Sequence, residues 1–215
     1  MHIDILTTLP AMFIGPFNES ILKRAQSNNV ITIKVHDLRQ WTTDKHRTTD
    51  DHPYGGGPGM VMMIEPIDVA LNALDAKKGT PKQKIVLTSA KGTLFTQQTA
   101  QSWSKELDRI VCICGHYEGI DERVALNLVD EEMRIGNYVL TGGELASMVM
   151  IDAVVRLLPG VLGDDESSIN ESHKTPGYFE YPQYTRPENY KSWEVPKVLL
   201  GGNHKVIENW RKTHS

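Results

Sequence analysis

Cysteine is nearly absent from this 215-residue chain, which has two, and aromatic residues make up 7% of it, with four phenylalanines. Each scarcity excludes something. Two thiols cannot form a disulfide framework, and their number agrees with a reducing compartment. Cys112 and Cys114 lie in the apolar run RIVCIC, at alternate positions that share one face of a strand. Adjacent sulfurs there are poorly placed to bridge, and zinc would need two more ligands. They read as core thiols. His46 and His52 have no third partner, so no metal site is expected. No apolar run reaches the roughly 18 residues of a membrane helix, and MHIDILTTLP lacks the basic region and cleavage site of a signal peptide, so a cytoplasmic protein is expected. No glycine-rich turn runs into Lys-Ser or Lys-Thr, and GGGPGM does not fit GxGxxG; both nucleotide fingerprints are missing. The remaining composition, 40% hydrophobic and 23% charged, is that of an ordinary globular protein.

Strand-like and helix-like segments alternate along most of the chain. HIDILTT, VITIKV, KIVLTS, RIVCIC and the start of EEMRIGNYVL read as strands. Helices are predicted for FNESILKRAQ after Pro16, IDVALNALDAKK after Pro66, TQQTAQSWSKEL with Thr96 as cap, and ERVALNLV with Asp121 as cap. A last helix from Glu144 to Leu158 is stopped by Pro159-Gly160. This order predicts an α/β domain over 1–162 with a mainly parallel sheet. A polar, acidic stretch without apolar periodicity reads as a linker over 163–177. Residues 178–215 then form a small, mostly helical unit. There Pro187 starts a short helix, VPKVLL is extended, and Asn203 caps HKVIENWRK.

Charge is unevenly spread. From His173 to Ser215 seven Lys/Arg face four Glu, a balance of +3 that leaves −7 for the rest of a chain whose net charge is −4. Seven aromatic residues lie among those basic groups, a mixture suited to unstacked RNA bases and phosphates. The same rings would serve as the core of a small domain, and the two readings are compatible. The helix from Glu144 to Leu158 carries apolar residues beyond one stripe, from Leu145, Met148, Val149, Met150 and Ile151 to Val154, Val155, Leu157 and Leu158. Its surplus face is best covered by a second subunit.

Three turns after apolar strands have unusual composition: Ser89 to Gly92, Gly115 to Gly119, and Gly136 to Glu144. In parallel sheets, ligands sit at the carboxyl ends of the strands, where such turns would offer backbone groups to one flat ligand. A phosphate cradle lacking any lysine is a poor fit, whereas backbone-dominated turns suit an adenosine, whose base edge and ribose hydroxyls take neutral hydrogen bonds. A fourth glycine-rich stretch, DDHPYGGGPGM, is either a slack linker or a loop whose backbone approaches something closely. Its composition alone favours the linker.

The stretches DKHRTTDDHPYGGGPGMVMM, GHYEGIDERV, IGNYVLTGGELASMVMIDAVVRLLPGVLG and YPQYTRPENY resemble the bacterial tRNA (guanine-N1)-methyltransferases of the SPOUT class. The resemblance runs from about Met1 to Arg211. It implies a trefoil knot in the first domain, S-adenosylmethionine bound there, an obligate homodimer, and methylation of the guanine just 3′ of the tRNA anticodon. The implied cofactor residues are Leu87, Ser89, Gly115, Tyr117, Glu118, Ile135, Gly136, Tyr138, Leu140, Gly142 and Gly143. For tRNA they are Asp50, His52, Gly57, Gly59 and Arg186, with a magnesium ion as a further partner for Asp50 and His52. The glycine loop would then border the active site.

Guanine N1 carries a proton near neutral pH, so methylation there needs a base near N1 and a cation near O6. Arg156 matches the family's catalytic arginine, although a helix salt bridge with Asp152 would also explain it. The family's base is usually an aspartate followed by serine. Here Asn170-Glu171-Ser172 puts a glutamate in that place, with Asp164, Asp165 and Glu166 as rivals. The family usually continues with more basic helix past the position of Ser215, which implies either reduced tRNA affinity or a compact member. Two other functions fit less well: a SPOUT enzyme acting on ribosomal RNA, and a non-catalytic RNA-binding module.

Overall fold

The computed structural model describes residues 1–162 and 171–215. The chain divides into two compact units, 1–165 and 166–215. In the first, strands β1 (His2–Thr7), β2 (Thr32–Asp37), β5 (Gln83–Leu94), β6 (Arg109–Cys114) and β7 (Glu131–Arg134) form one sheet in the order β2-β1-β6-β5-β7. All four pairings are parallel, as the alternation predicts. β1 and β6 are buried over five of their six residues, which suits central strands covered on both faces. Side chains alternate between two cores. Ile3, Ile5, Cys112 and Cys114 face one with Met150, Ile151 and Val154, while Leu6, Val111 and Ile113 face the other with Ile67 and Leu71. The two thiols are thus buried core residues, unpaired with each other, and burial pushes Cys112 up to about 12.

Helices α1 (Ser20–Ser27), α2 (Ile64–Ala73), α3 (Gln97–Glu106), α4 (Glu122–Asn127) and α5 (Glu144–Val155) cover the sheet. The caps behave as their chemistry predicts: Thr96 accepts from Thr99 N, and Asp121 from Arg123 N. Boundaries differ elsewhere. Pro16 opens a 3-10 turn at Pro16–Asn18, and α1 begins only at Ser20. Pro66 lies two residues inside α2, where its missing N–H is still one that no helix bond needs. α5 ends at Val155, and the chain tightens through Leu157 and Leu158, whose N–H groups donate to Val154 and Val155 three residues back. Among the described residues, no helix is long and apolar enough to cross a membrane.

The glycine loop is no linker. It closes a two-stranded antiparallel ribbon of β3 (Asp50–Asp51) and β4 (Val61–Met62), with positive φ at Gly55, Gly56, Gly57 and Gly59. Composition alone misleads here because the pairing that fixes the loop lies outside it.

Of the expected linker, 163–170 falls outside the described residues, as do Asp164, Asp165 and Glu166. Residues 171–177 form turns, in which Lys174 N donates to Glu171 O and Glu180 N to Ser172 Oγ. In the second unit, Pro187 leads into a hairpin of β8 (Asn189–Tyr190) and β9 (Trp193–Glu194) rather than a helix. VPKVLL, expected to be extended, instead contains helix α6 (Lys197–Leu200), with Pro196 as its N-cap. A proline beside the first turn starts a helix as readily as it ends a strand. Asn203 caps α7 (His204–Thr213) through Val206 N, as predicted. No described residue from 171 onward is buried, so the aromatic residues here make no sealed core. They pair at the surface instead: Tyr184 with Trp210, Tyr190 with Trp193, and Arg211 over Tyr181.

Candidate active site

The first of the three turns is a loop-out from a strand that continues beyond it. In β5, Thr88 and Thr93 both pair with Met133 of β7, and Ser89 to Gly92 bulges between them. At Gly92 a β-carbon would come within 2.5 Å of the Glu132 and Met133 backbone, so only glycine lets the chain return across β7.

Thr88 joins this turn to the second. Its Oγ1 donates to Ile113 O at 3.1 Å and accepts from Gly115 N at 3.1 Å. The third turn is pinned to the second by Gly143 N donating to Gly115 O at 2.7 Å and by an isolated antiparallel bridge between His116 and Gly142. A β-carbon on Gly143 would overlap Thr88 Oγ1 and stand 2.8 Å from Gly115 N. Three backbones meet here closer than side chains allow.

Between them lies a cavity of about 430 Å³. Leu87, Ser89, Gly115, Tyr117, Glu118, Ile135, Tyr138, Leu140, Gly142 and Gly143 all line it. Gly136 is outside the lining; its bare α-carbon accommodates the Tyr138 ring, which a β-carbon would strike. Glycine backbone forms the edges of the cavity, and Leu87, Ile135, Tyr138 and Leu140 contribute to its walls.

Besides Glu118, four charged residues line it, Lys91, Glu122, Glu132 and Arg134, so the lysine-free, neutral lining expected of the three turns does not hold. Lys91 bonds Glu122 and lies 3.9 Å from Glu132; the Glu122 bond raises its ammonium pKa, against a smaller opposing effect of burial. Arg134 donates to Gly92 O and to Asn137 Oδ1, tying the first turn to the third. Only the three-dimensional meeting of β5, α4 and β7 reveals this group.

The glycine loop borders the cavity. Glu118 N donates to Met60 O, Met62 N to Gly119 O, and Asp121 N to Met62 O, so the ribbon is sewn along the second turn. A β-carbon on Gly59 would stand 2.6 Å from Glu118 Oε1, which makes that glycine a seat for a cavity residue. Burial and the nearby Asp50 carboxylate hold the Tyr117 phenol above the ordinary range. Asp50 therefore stands near a cavity residue, whereas His52 and Gly57 stand exposed on the loop.

Arg156 follows α5, with its backbone N–H bonded to Asp152 O, and does not line the cavity. Glu171 and Arg186 belong to the second unit. Arg186 lines an open groove of about 440 Å³ there, together with Tyr181, Tyr184, Trp210 and Arg211. Among the described residues, no three His, Cys, Asp or Glu side chains converge on a metal position.

Comparison with known proteins agrees with this geometry. The family profile described as "tRNA (Guanine-1)-methyltransferase TrmD" matches residues 1–215. The chain is 55% identical over 212 residues to the tRNA (guanine-N(1)-)-methyltransferase of Chloroflexus aurantiacus, covering 99% of this chain and 82% of that protein. Proteins of the same name from Carboxydothermus hydrogenoformans and Geotalea uraniireducens are 53% and 50% identical, with all of this chain covered and 83% and 85% of theirs. Together with the three-turn cavity, these matches lead to one conclusion: the chain belongs to the tRNA (guanine-1)-methyltransferase family.

Proposed function

We propose that the protein transfers a methyl group from S-adenosylmethionine to N1 of the guanine just 3′ of the anticodon in tRNA. One observation carries the reading: three turns distant in sequence close one glycine-edged cavity in a chain of this family. When bound, S-adenosylmethionine supplies an electrophilic methyl group on a sulfonium sulfur. Gly115, Gly142 and Gly143 would hold its nucleoside through backbone groups, with Leu87, Ile135 and Leu140 against the base. Glu171 takes the proton from guanine N1, and Arg156 stabilises the negative charge that develops at O6. Asp50, His52 and the loop glycines Gly57 and Gly59 meet the tRNA beside the cavity. Arg186 and the aromatic surface of the second unit meet it elsewhere.

We infer further that the backbone crossing at these turns is the family's trefoil knot, a reading supported by the close approach of Gly92 to β7 and of Gly143 to Gly115. The working unit is a homodimer. Leu145 and Val149, four residues apart on α5, are 49% and 50% exposed. The turn Pro10–Phe13 packs beside α5 and leaves Met12 and Ile14 exposed as well. Apart from these two, Asp152 and the half-buried Ala153, α5 is buried, and an apolar patch of this kind suits a second copy of the chain. In that dimer, Glu171 of one chain serves the cavity of the other.

The test is transfer of radiolabelled methyl from S-adenosylmethionine to tRNA with and without guanine beside the anticodon. Label recovered as N1-methylguanine only from the first tRNA is expected. Equal labelling of both, or labelling of ribosomal RNA instead, would replace the proposal.

A further inference from the structure

Among the described residues, two buried side-chain polar atoms lack a hydrogen-bond partner: Nδ1 of His116 and Oε2 of Glu144. They face each other at 3.7 Å. That is too long for a hydrogen bond and too short to seat a bridging water at ordinary angles. Native proteins rarely leave such groups unmatched, and two opposite each other at a ligand cavity ask for an explanation.

Their positions suggest one. His116 belongs to the second turn and lines the cavity. Glu144 is the first residue of α5, directly after the third turn, and is 1% exposed. Its other oxygen is anchored, because Thr7 Oγ1 at the end of β1 donates to Oε1 at 2.8 Å. Thr7 Oγ1 in turn accepts from Leu9 N at 2.9 Å. The carboxylate is therefore fixed to the sheet, while the His116 side chain borders the cavity. Gly142 lies over the gap, since a β-carbon there would overlap both Glu144 Oε2 and His116 Nδ1. The backbones of the two turns are already bonded at 2.7 Å, so a shift of the His116 ring by less than about 1 Å would complete the bond.

We propose that Glu144 is a positioning residue for the methyl donor. Through His116 it sets the cavity wall at the second turn, and the bond between the two side chains forms when the donor's nucleoside packs against the imidazole. This rests on the reading that the cavity holds S-adenosylmethionine. Donor binding then includes the gain of one hydrogen bond to a charged group, made inside the protein and not to the ligand.

The experiment is calorimetric titration of the full chain with S-adenosylmethionine, using wild type, His116→Phe, Glu144→Leu, the double variant and Glu144→Gln. Each of the first two should weaken the donor about tenfold, the loss expected for a hydrogen bond to a charged group. The double variant should also lose about tenfold, because the two residues act as one pair. Glu144→Gln keeps the Thr7 bond and can donate its amide to the other histidine tautomer, so it should lose less than Glu144→Leu. An unaffected His116→Phe, or a double variant weakened about a hundredfold as for independent sites, overturns the proposal. His116→Phe leaves the Glu144–Thr7 anchor in place and decides the matter even where Glu144→Leu does not fold. Wild type that takes up no donor overturns the cavity reading, and the pair's role with it. Wild type that binds beside an unaffected His116→Phe overturns the pair's role alone.

Discussion

Residues 1–162 and 171–215 are built in opposite ways. The first region buries both faces of a parallel sheet and shapes its cavity from three turns that touch backbone to backbone. The second has no buried residue among those described, yet carries seven aromatic residues and a positive charge balance at its surface. A small ligand needs walls held by a packed core, whereas a large polyanion can be met by exposed rings and cations on a thin scaffold. Substitutions should therefore act differently in the two regions.

The largest effect should come from one exchange in the second region. Glu171→Gln keeps size and hydrogen bonding but cannot take the N1 proton, so single-turnover methyl transfer should slow by roughly 10²–10⁴-fold. Donor affinity should hold. Full activity in this variant would move the base to another group and break the division of labour.

Next in size is Gly143→Ala in the first region. The added carbon overlaps Thr88 Oγ1 and crowds Gly115 N, and relieving such overpacking costs about 1–3 kcal/mol. Donor affinity should fall roughly 10–100-fold as the turns part. Calorimetry reads this directly, and an unchanged binding heat would remove the third turn from the site.

A smaller effect is expected for Trp193→Ala. The ring is 71% exposed, so thermal stability should stay the same while tRNA affinity drops by roughly tenfold, the contribution of one stacked base. A stability loss without an affinity loss would make the aromatic residues a core after all.

The smallest effect concerns acid. Asp4 is buried in β1, which by itself would raise its carboxyl pKa; hydrogen bonds from His36 and Arg109 more than offset this and hold it below the ordinary 3.8. A carboxylate lowered on folding contributes stability that is fully present above 3.8 and is lost as pH falls through the folded value. Urea midpoints of the first unit should therefore decline below pH 4, and Asp4→Asn should flatten that decline. An unaltered acid limb would remove Asp4 from the account.

Much of this architecture could be read from the sequence where its causes are local. The strands β1 and β6, the caps Thr96, Asp121 and Asn203, and the three glycine-bearing turns each announce themselves within a few residues. Cys112 and Cys114 read as core because alternation alone puts them on one buried face. What was not legible depends on distant partners. VPKVLL has no local mark that distinguishes an extended segment from the helix α6. The loop-out at Ser89 to Gly92 exists because β5 resumes its pairing with Met133. Glu144 reads as an ordinary first-turn glutamate until Thr7, 137 residues away, is found bonded to it. The same holds for the rim of Lys91, Glu122 and Glu132, and for Asp4 with Arg109.

The central claim is that the cavity of the first region and the base of the second work together across a dimer, each chain lending its glutamate to the other. Mixing Gly143→Ala chains, whose donor affinity should be roughly 10–100-fold lower, with Glu171→Gln chains, which lack the base, at a donor concentration that fills only intact cavities, tests this most directly. Heterodimers isolated with two affinity tags are assayed for methyl transfer to tRNA carrying guanine beside the anticodon. The account predicts recovered activity, because one site in each heterodimer joins an intact cavity to an intact Glu171. Verified heterodimers as inactive as either parent would contradict it and put cavity and base in the same chain.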